Sequence, residues 1–354
     1  MISRLIFTAG LPTWALFLEL AVAGAIVVWS GARLTKAADS LSDHLQLGAG
    51  WMGLILLATV TSLPELITGG TAVWIGNVDM AFGSILGSCA FNVTIIVLLN
   101  ALIGGGSVLV GVSAAHALSS SFGILLMGLA LTGLVVSAKF AEVPALLAGF
   151  EWAWAATIFA TYLGCVRLCY RFERRGMTPE VLAVRGRAPG HLYGRVVMLA
   201  LIIVAASWWL ARCGDILSVH EIKSLGRPLG ATFVGACFLA LATSLPEITT
   251  SVAAVRIGNL DMALGNIFGS NMFNIFVIPC LKGVACIRGG ALLAPGAVNV
   301  SQSLLVGLLA MLLTAIAVGG LTYKSTGRMF RRFGFDSVMI AVAYAGGMIL
   351  LLAA

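Results

Sequence analysis

The sequence predicts an all-α polytopic membrane protein, with about ten transmembrane helices in two inverted repeats of five and broken helices at the centre. Three observations support this fold class. Of the 354 residues, 60% are hydrophobic and only 10% are charged, whereas roughly a quarter are charged in a typical soluble protein. Apolar runs of about 20 residues or more, enough to cross a bilayer, recur along the chain. A segment of the first half also returns almost unchanged in the second half.

Ten apolar runs are long enough to be transmembrane helices. Their predicted bounds are 12–34, 48–76, 80–104, 119–137, 144–169, 195–213, 229–257, 262–285, 300–321 and 334–353. The first run is interpreted as a membrane helix, because it is too long for a signal peptide and no small-residue cleavage site ends it. The longest clearly polar stretch is Arg171 to Arg195, so no soluble domain is expected.

A basic loop divides the chain into two predicted halves. Residues 1–170 form the first five-helix half, 171–194 the loop and 195–354 the second half. With the N-terminus outside, 14 of the 21 Lys and Arg residues fall on the inner side. The positive-inside rule therefore predicts an outer N-terminus and a cytoplasmic central loop. Basic loops facing anionic lipid explain the net charge of +7 without a nucleic-acid partner.

An internal repeat relates the two halves. Residues 61–92 align without a gap with residues 243–274, and 20 of the 32 positions are identical. These copies lie within the predicted span pairs at about 48–104 and 229–285. They are five spans apart, and an odd number of spans inverts the second copy. Inverted repeats are typical of secondary transporters, whose substrate site lies near the midplane where the repeats meet.

Each copy begins with the same five residues, Thr-Ser-Leu-Pro-Glu, inside an apolar run. Pro64 and Pro246 each remove a backbone donor and predict a helix break. Glu65 and Glu247 place carboxylates within the membrane, where an ionised side chain costs about 2.5–3.5 kcal/mol on insertion scales. Because Lys and Arg are absent from residues 37–138, the expected counter-charge is a mobile cation.

Hydroxyl and amide side chains recur beside both glutamates at helical spacing. Together with the carboxylates they predict an all-oxygen site, which suits Ca²⁺ and Na⁺ better than zinc or copper. The predicted metal-site residues are Thr61, Ser62, Glu65, Ser88, Asn92, Thr243, Ser244, Glu247, Ser270 and Asn274. Asp79 and Asp261 lie between two spans and are interpreted as helix caps, not as ligands. Repeated glycines are interpreted as helix-packing positions.

At these motifs the chain resembles the sodium/calcium exchangers of the cation/calcium antiporter superfamily. The two "TSLPE" segments, with "GSCAFN" and "GSNMFN", look like that family's paired alpha repeats. The resemblance implies that Ca²⁺ moves against Na⁺ by alternating access through four central cation sites. It also implies that the first and sixth helices slide past the other eight. Prokaryotic relatives often carry an aspartate at the place of Asn274, so the ion stoichiometry is left open.

Two other functions are weighed against Ca²⁺/Na⁺ exchange. The first is antiport of Ca²⁺ or another divalent cation against H⁺, with one glutamate carrying the proton. The second is a cation channel, although a pseudo-symmetric site within one chain favours a transporter. An enzyme is not expected, since the four histidines are isolated or near loops. The partners expected are the transported ions and the lipid of a prokaryotic inner membrane, with no cofactor and no obligate protein partner.

Overall fold

A computed structural model describes residues 13–104, 106–137, 143–175, 189–219, 221–222, 227–228, 243–324, 328–330 and 333–353. Nearly all of these residues are helical. Within them, eight helical segments are long and apolar enough to cross a membrane. Large apolar side chains face outward from these helices, for example Leu201 at 66% exposure. An apolar exterior of this kind suits contact with lipid, so the chain is an integral membrane protein.

The first part of the chain forms six helices and one π-helical segment. They are α1 Thr13–Leu45, α2 Ala49–Met52, the π-helical segment Gly53–Leu57, α3 Ala58–Ile75, α4 Val78–Ile103, α5 Ala115–Ser137 and α6 Pro144–Arg175. The later part adds α7 Gly190–Val219, α8 Leu245–Arg256, α9 Leu260–Ile287, α10 Val300–Tyr323 and α11 Phe335–Ala353. Two short antiparallel strand pairs are β1 Glu221–Ile222 with β2 Arg227–Pro228, and β3 Arg328–Phe330 with β4 Phe333–Gly334.

The helical fold class is confirmed, and the main differences lie at helix ends. The first span was expected to end at residue 34, but α1 runs on to Leu45; α6 likewise continues to Arg175, past the predicted loop boundary. Both extensions are rich in polar residues, and a helix does not stop where its apolar run stops. Residues 1–12, most of the central loop (176–188) and residues 229–242 of the seventh span lie outside the described part of the chain.

The helices form two packed groups. α1 and α7 lie against each other along much of their length, and they contact the rest of the bundle through α8, α3, α2 and the π-helical segment. α9 is the central helix, in contact with α3, α4, α5, α6 and α8. α10 packs on α4, α5 and α11. The two repeated segments, α3–α4 and α8–α9, therefore meet inside the bundle.

Glycines allow α9 to approach α2 and the π-helical segment backbone to backbone. A Cβ atom added at Gly265 would overlap the carbonyl oxygen of Gly50, and one at Gly269 would overlap that of Leu54. A Cβ at Gly53, the first residue of the π-helical segment, would overlap the Met262 carbonyl. The packing role predicted for the repeated glycines is therefore observed at these two second-copy positions, as in other close membrane helix pairs.

Replacing Gly265 with alanine should destabilise the protein, because the two helices must move apart to admit the methyl group. We expect a loss of about 1–3 kcal/mol, measured as thermal unfolding of the purified protein in detergent. Gly70→Ala on α3 is the matched control, since the nearest atom to its added Cβ would be Val284 Cγ2 at 3.9 Å. Equal unfolding temperatures for the two variants would contradict the close backbone contact.

The repeated "IGN" tripeptides form the same turn in both copies. Gly76 (φ 90°) and Gly258 (φ 81°) take the left-handed conformation that glycine tolerates best. Asn77 and Asn259 then cap the following helices, each accepting from the backbone N–H three residues later at 3.1 Å. The helix caps are therefore these asparagines, and the interpretation of the neighbouring aspartates as caps of their own helices is wrong.

The aspartates instead join the two halves. Asp79 Oδ1 accepts from the backbone N–H of Asn299, at the start of α10, at 2.7 Å. Asp261 Oδ1 accepts from the backbone N–H of Ser113, just before α5, also at 2.7 Å, and from His116 Nε2 at 2.9 Å. Each half thus supplies a carboxylate to the start of a helix in the other half.

Candidate cation-binding site

The two prolines of the repeated pentapeptide occupy different places in their helices. Pro64 lies inside α3, which continues as α-helix from Ala58 to Ile75, so the helix break predicted at Pro64 is wrong. Pro246 lies in the first turn of α8 and so marks the start of a helix. The hydroxyls of Thr68 and Thr250 each donate to the carbonyl of the preceding proline, at 2.9 and 2.8 Å. These two threonines recur beside the glutamates in sequence, and their hydroxyls donate to backbone carbonyls.

The two glutamates are buried and hydrogen-bonded to serines of the site. Glu65 is 1% exposed and its Oε1 accepts from Ser88 Oγ at 3.4 Å. Glu247 is fully buried and its Oε1 accepts from Ser62 Oγ at 3.3 Å. In both, the second oxygen, Oε2, has no hydrogen-bond partner among the described residues. Because Ser62 lies on α3 three residues before Glu65, its bond to Glu247 joins the two repeats at the glutamates.

A second set of contacts crosses between the repeats at Thr61. Its Oγ1 lies 3.3 Å from Ser270 Oγ and 3.3 Å from Asn266 Oδ1, both on α9. Asn266 Nδ2 in turn donates to Thr250 Oγ1 at 2.9 Å and to Ser251 Oγ at 3.0 Å. The hydroxyls of the first copy are thus held against the second copy through an amide that bridges α8 and α9.

The remaining predicted residues line the same interior. Asn92 Nδ2 donates to Asn271 Oδ1 at 3.1 Å. Ser244 and Asn274 are fully buried, and the Ser244 hydroxyl and both amide atoms of Asn274 lack a partner within the described ranges. Thr243 is 2% exposed. All ten predicted residues are at most 3% exposed, so water does not solvate their oxygens from outside.

Two asparagines of α9 were not among the predicted site residues. Asn266 is the repeat equivalent of Ser84, and Asn271 is the repeat equivalent of Cys89. A requirement that both copies carry the same chemistry discards such a residue. The structure shows that Asn271 contacts the first copy directly.

No protein cation neutralises the glutamates in the part of the chain that is described. The ion pairs there are His116–Asp261 and Lys282–Glu151, and neither includes Glu65 or Glu247. The described residues also contain no cluster of three or more His, Cys, Asp and Glu side chains suited to a metal. Hydroxyl, amide and carboxylate oxygens are therefore the available ligands, and such ligands suit hard cations.

A lipid-facing bundle of helices with paired carboxylates at the junction of two repeats defines a membrane transporter of the secondary class. The family model described as "Sodium/calcium exchanger protein" matches residues 15–171 and 191–353. The chain belongs to this family, and its class is therefore that of the cation/calcium antiporters.

Relatives with curated names are similar over most or part of the chain. The putative antiporter CaxA of Alkalimonas amylolytica is 27% identical over 314 residues, covering 84% of this chain and 88% of the relative. The inner membrane protein YrbG of Escherichia coli is 29% identical over 281 residues, covering 77% and 78%. The sodium/calcium exchanger MaX1 of Methanosarcina acetivorans is 36% identical over 93 residues, covering 26% and 25%.

Solved structures of the sodium-calcium exchanger NCX_Mj share the fold. A crystal soaked without Na⁺ and Ca²⁺ matches with a TM-score of 0.63 and 16% identity, covering 95% of this chain and 99% of that chain. One soaked with 10 mM Na⁺ and no Ca²⁺ gives a TM-score of 0.62, covering 95% and 98%. At this identity the likeness concerns the fold.

Proposed function

We propose that the protein exchanges Ca²⁺ for Na⁺ across a membrane by alternating access, with the cations bound between Glu65 and Glu247. One observation carries the proposal. Two carboxylates from equivalent positions of an inverted repeat are buried together, each with one oxygen unpartnered among the described residues. Isolated buried charges of this kind are costly unless a counter-ion or proton neutralises them. Family membership supports Na⁺ and Ca²⁺ as the transported ions.

Charge compensation also explains why transport of the two ions would be coupled. An empty site would carry two bare carboxylates through an apolar interior, which is unfavourable. One Ca²⁺ or two Na⁺ would cancel those charges and permit the change between inward and outward states. Each ion therefore needs only to shift the balance between states that already exist.

The ten predicted oxygen-bearing residues are the proposed ligand set. Asn274 contributes an amide and not an acid, so the proposed set contains two carboxylates, whose charge one Ca²⁺ would balance. Backbone oxygens near Thr61 and Thr243 complete the proposed coordination. No cofactor is required for this exchange.

The packing supports a mechanism in which some helices move and the others form a fixed core. We infer that α1 and α7, which pair with each other along much of their length, are the sliding elements. The two halves, 1–170 and 195–354, are the inverted units of this mechanism. The orientation proposed from basic residues places the N-terminus outside a prokaryotic inner membrane and the central loop in the cytoplasm.

The coupling ion is tested by flux into proteoliposomes containing the purified protein. We expect ⁴⁵Ca²⁺ uptake when Na⁺ is loaded inside and absent outside, and little uptake when only a pH gradient is imposed. Liposomes without protein and an equal-Na⁺ condition are the controls. Uptake driven by the pH gradient alone would instead support the alternative, Ca²⁺/H⁺ exchange with a glutamate as proton carrier. Single-channel currents in a planar bilayer would overturn the transporter assignment.

A further inference from the structure

Two equivalent positions of the repeat contact each other beside the proposed cation site. Cys89 and Asn271 are related by the same offset of 182 residues as the rest of the repeat. Asn271 Nδ2 donates to the Cys89 carbonyl oxygen at 3.0 Å, and Cys89 Sγ donates to the Asn271 carbonyl oxygen at 3.7 Å. Each side chain therefore binds the main chain of its repeat equivalent, at the axis that relates the two copies.

The side chains of Asn271 and Cys89 differ in their remaining capacity to accept hydrogen bonds. An amide offers a strong acceptor in addition to its N–H groups, whereas a thiol is only a weak donor and a weak acceptor. Asn271 uses its Oδ1 to accept from Asn92 Nδ2 at 3.1 Å. With its nitrogen engaged, the Asn92 amide has one orientation, and its Oδ1 is buried without a partner among the described residues. That oxygen is the atom a hard cation would bind.

Asn274, the repeat equivalent of Asn92, lies beside the Cys89 thiol, which is only a weak acceptor for an amide N–H. Both Nδ2 and Oδ1 of Asn274 are buried, and neither makes a hydrogen bond of standard geometry in the described part of the chain. The two asparagines have the same side chain but differ in how firmly that side chain is oriented.

We propose that Asn271 is a positioning residue for cation binding: it fixes the Asn92 amide with its oxygen toward the cation, while the weakly accepting Cys89 thiol orients Asn274 less firmly. This inference rests on the proposed function, because it assigns Asn92 to the cation site. The first copy therefore presents a pre-oriented amide ligand and the second copy an adjustable one. Ligand orientation by such outer partners commonly changes metal affinity 10- to 100-fold.

The test is a kinetic comparison in the Na⁺-driven ⁴⁵Ca²⁺ flux assay. We expect Asn271→Ala to raise the KM for Ca²⁺ at least about tenfold, with little change in maximal rate. Cys89→Ala is the control, because it removes only the weak thiol contact, and its KM should stay within about twofold of wild type. Cys89→Asn supplies an acceptor for Asn274 Nδ2 and should lower the KM.

A double-mutant cycle separates orientation from packing. Asn92→Asp supplies two equivalent oxygens and removes the N–H donor to Asn271 Oδ1, so Asn271 has no amide left to orient. Adding Asn271→Ala to Asn92→Asp should therefore not raise KM above that of Asn92→Asp alone. An equal KM increase in both backgrounds, or no increase in either, would overturn the positioning role while Ca²⁺/Na⁺ exchange by the wild type stands.

An unchanged KM in Cys89→Asn would overturn the assignment for Asn274. A wild type without Ca²⁺ flux would refute the proposed function and this inference together.

Discussion

Glu65→Gln and Glu247→Gln should each abolish Ca²⁺/Na⁺ exchange. The amide keeps the size of the side chain and its hydrogen bond to Ser88 or Ser62, but it removes half of the negative charge that would balance one Ca²⁺. An uncompensated charge costs about 2.5–3.5 kcal/mol in the membrane, so we expect exchange to fall by at least about 100-fold. The measurement is Na⁺-driven ⁴⁵Ca²⁺ uptake into proteoliposomes at matched protein density.

A control for loss of charge alone is Asp43→Asn. Asp43 lies near the end of α1 and is exposed, so its neutralisation should keep uptake within about twofold of wild type, as for most surface substitutions. Both glutamine variants should elute as the wild type does on size exclusion, which separates a defect in ion binding from misfolding. Normal exchange by either folded variant would remove that glutamate from the transport site.

Glu151→Gln should strongly destabilise the protein. Glu151 is fully buried and Lys282 is 3% exposed, and their Oε2 and Nζ atoms lie 2.5 Å apart. The other carboxylate oxygen accepts from the backbone N–H of Leu293 at 2.5 Å, so this side chain joins α6, α9 and the segment after α9. Removing one partner of a buried pair typically costs about 3–5 kcal/mol, because the other charge remains buried without its counter-charge. Thermal unfolding in detergent would show this loss.

A double variant tests whether the unpaired lysine is the cause. Glu151→Gln combined with Lys282→Met removes both charges, keeps an apolar stem in place and should recover most of the lost stability. The amide oxygen of the glutamine can still accept from Leu293. If the single variant unfolds at the wild-type temperature, or if the double variant is no more stable than the single one, the ion pair does not stabilise this junction.

The glutamates and their serine neighbours could be predicted from sequence because two signals coincide there. A carboxylate in an apolar run is unfavourable in free energy within the membrane. Its exact recurrence in the inverted copy indicates that both carboxylates have the same function. The helical fold followed from composition and spacing alone. The burial of all ten predicted residues agrees with that reasoning, while their roles as ligands are a proposal that the glutamate and Asn271 variants test.

Other features depend on contacts between distant residues, which a single sequence does not reveal. Lys282 and Glu151 have no repeat equivalents of matching charge, and 131 positions separate them. Asn271 is not among the predicted site residues, because its contact with Asn92 joins positions that are 179 residues apart. In the "GNxDM" motif, composition does not distinguish the capping side chain from its neighbour; the local turn selects the asparagine.

The hydrogen bonds that Asp79 and Asp261 accept from the opposite half affect how the chain is assembled. The backbone N–H of Ser113 cannot bond to Asp261 until that residue is synthesised, 148 residues later. The carboxylate of Asp79 likewise lacks its donor until Asn299 is synthesised, 220 residues later. A nascent chain that has inserted only its early helices still has an amide at the start of α5 without its final acceptor. The first half therefore reaches its final set of hydrogen bonds only after the second half has been synthesised and inserted.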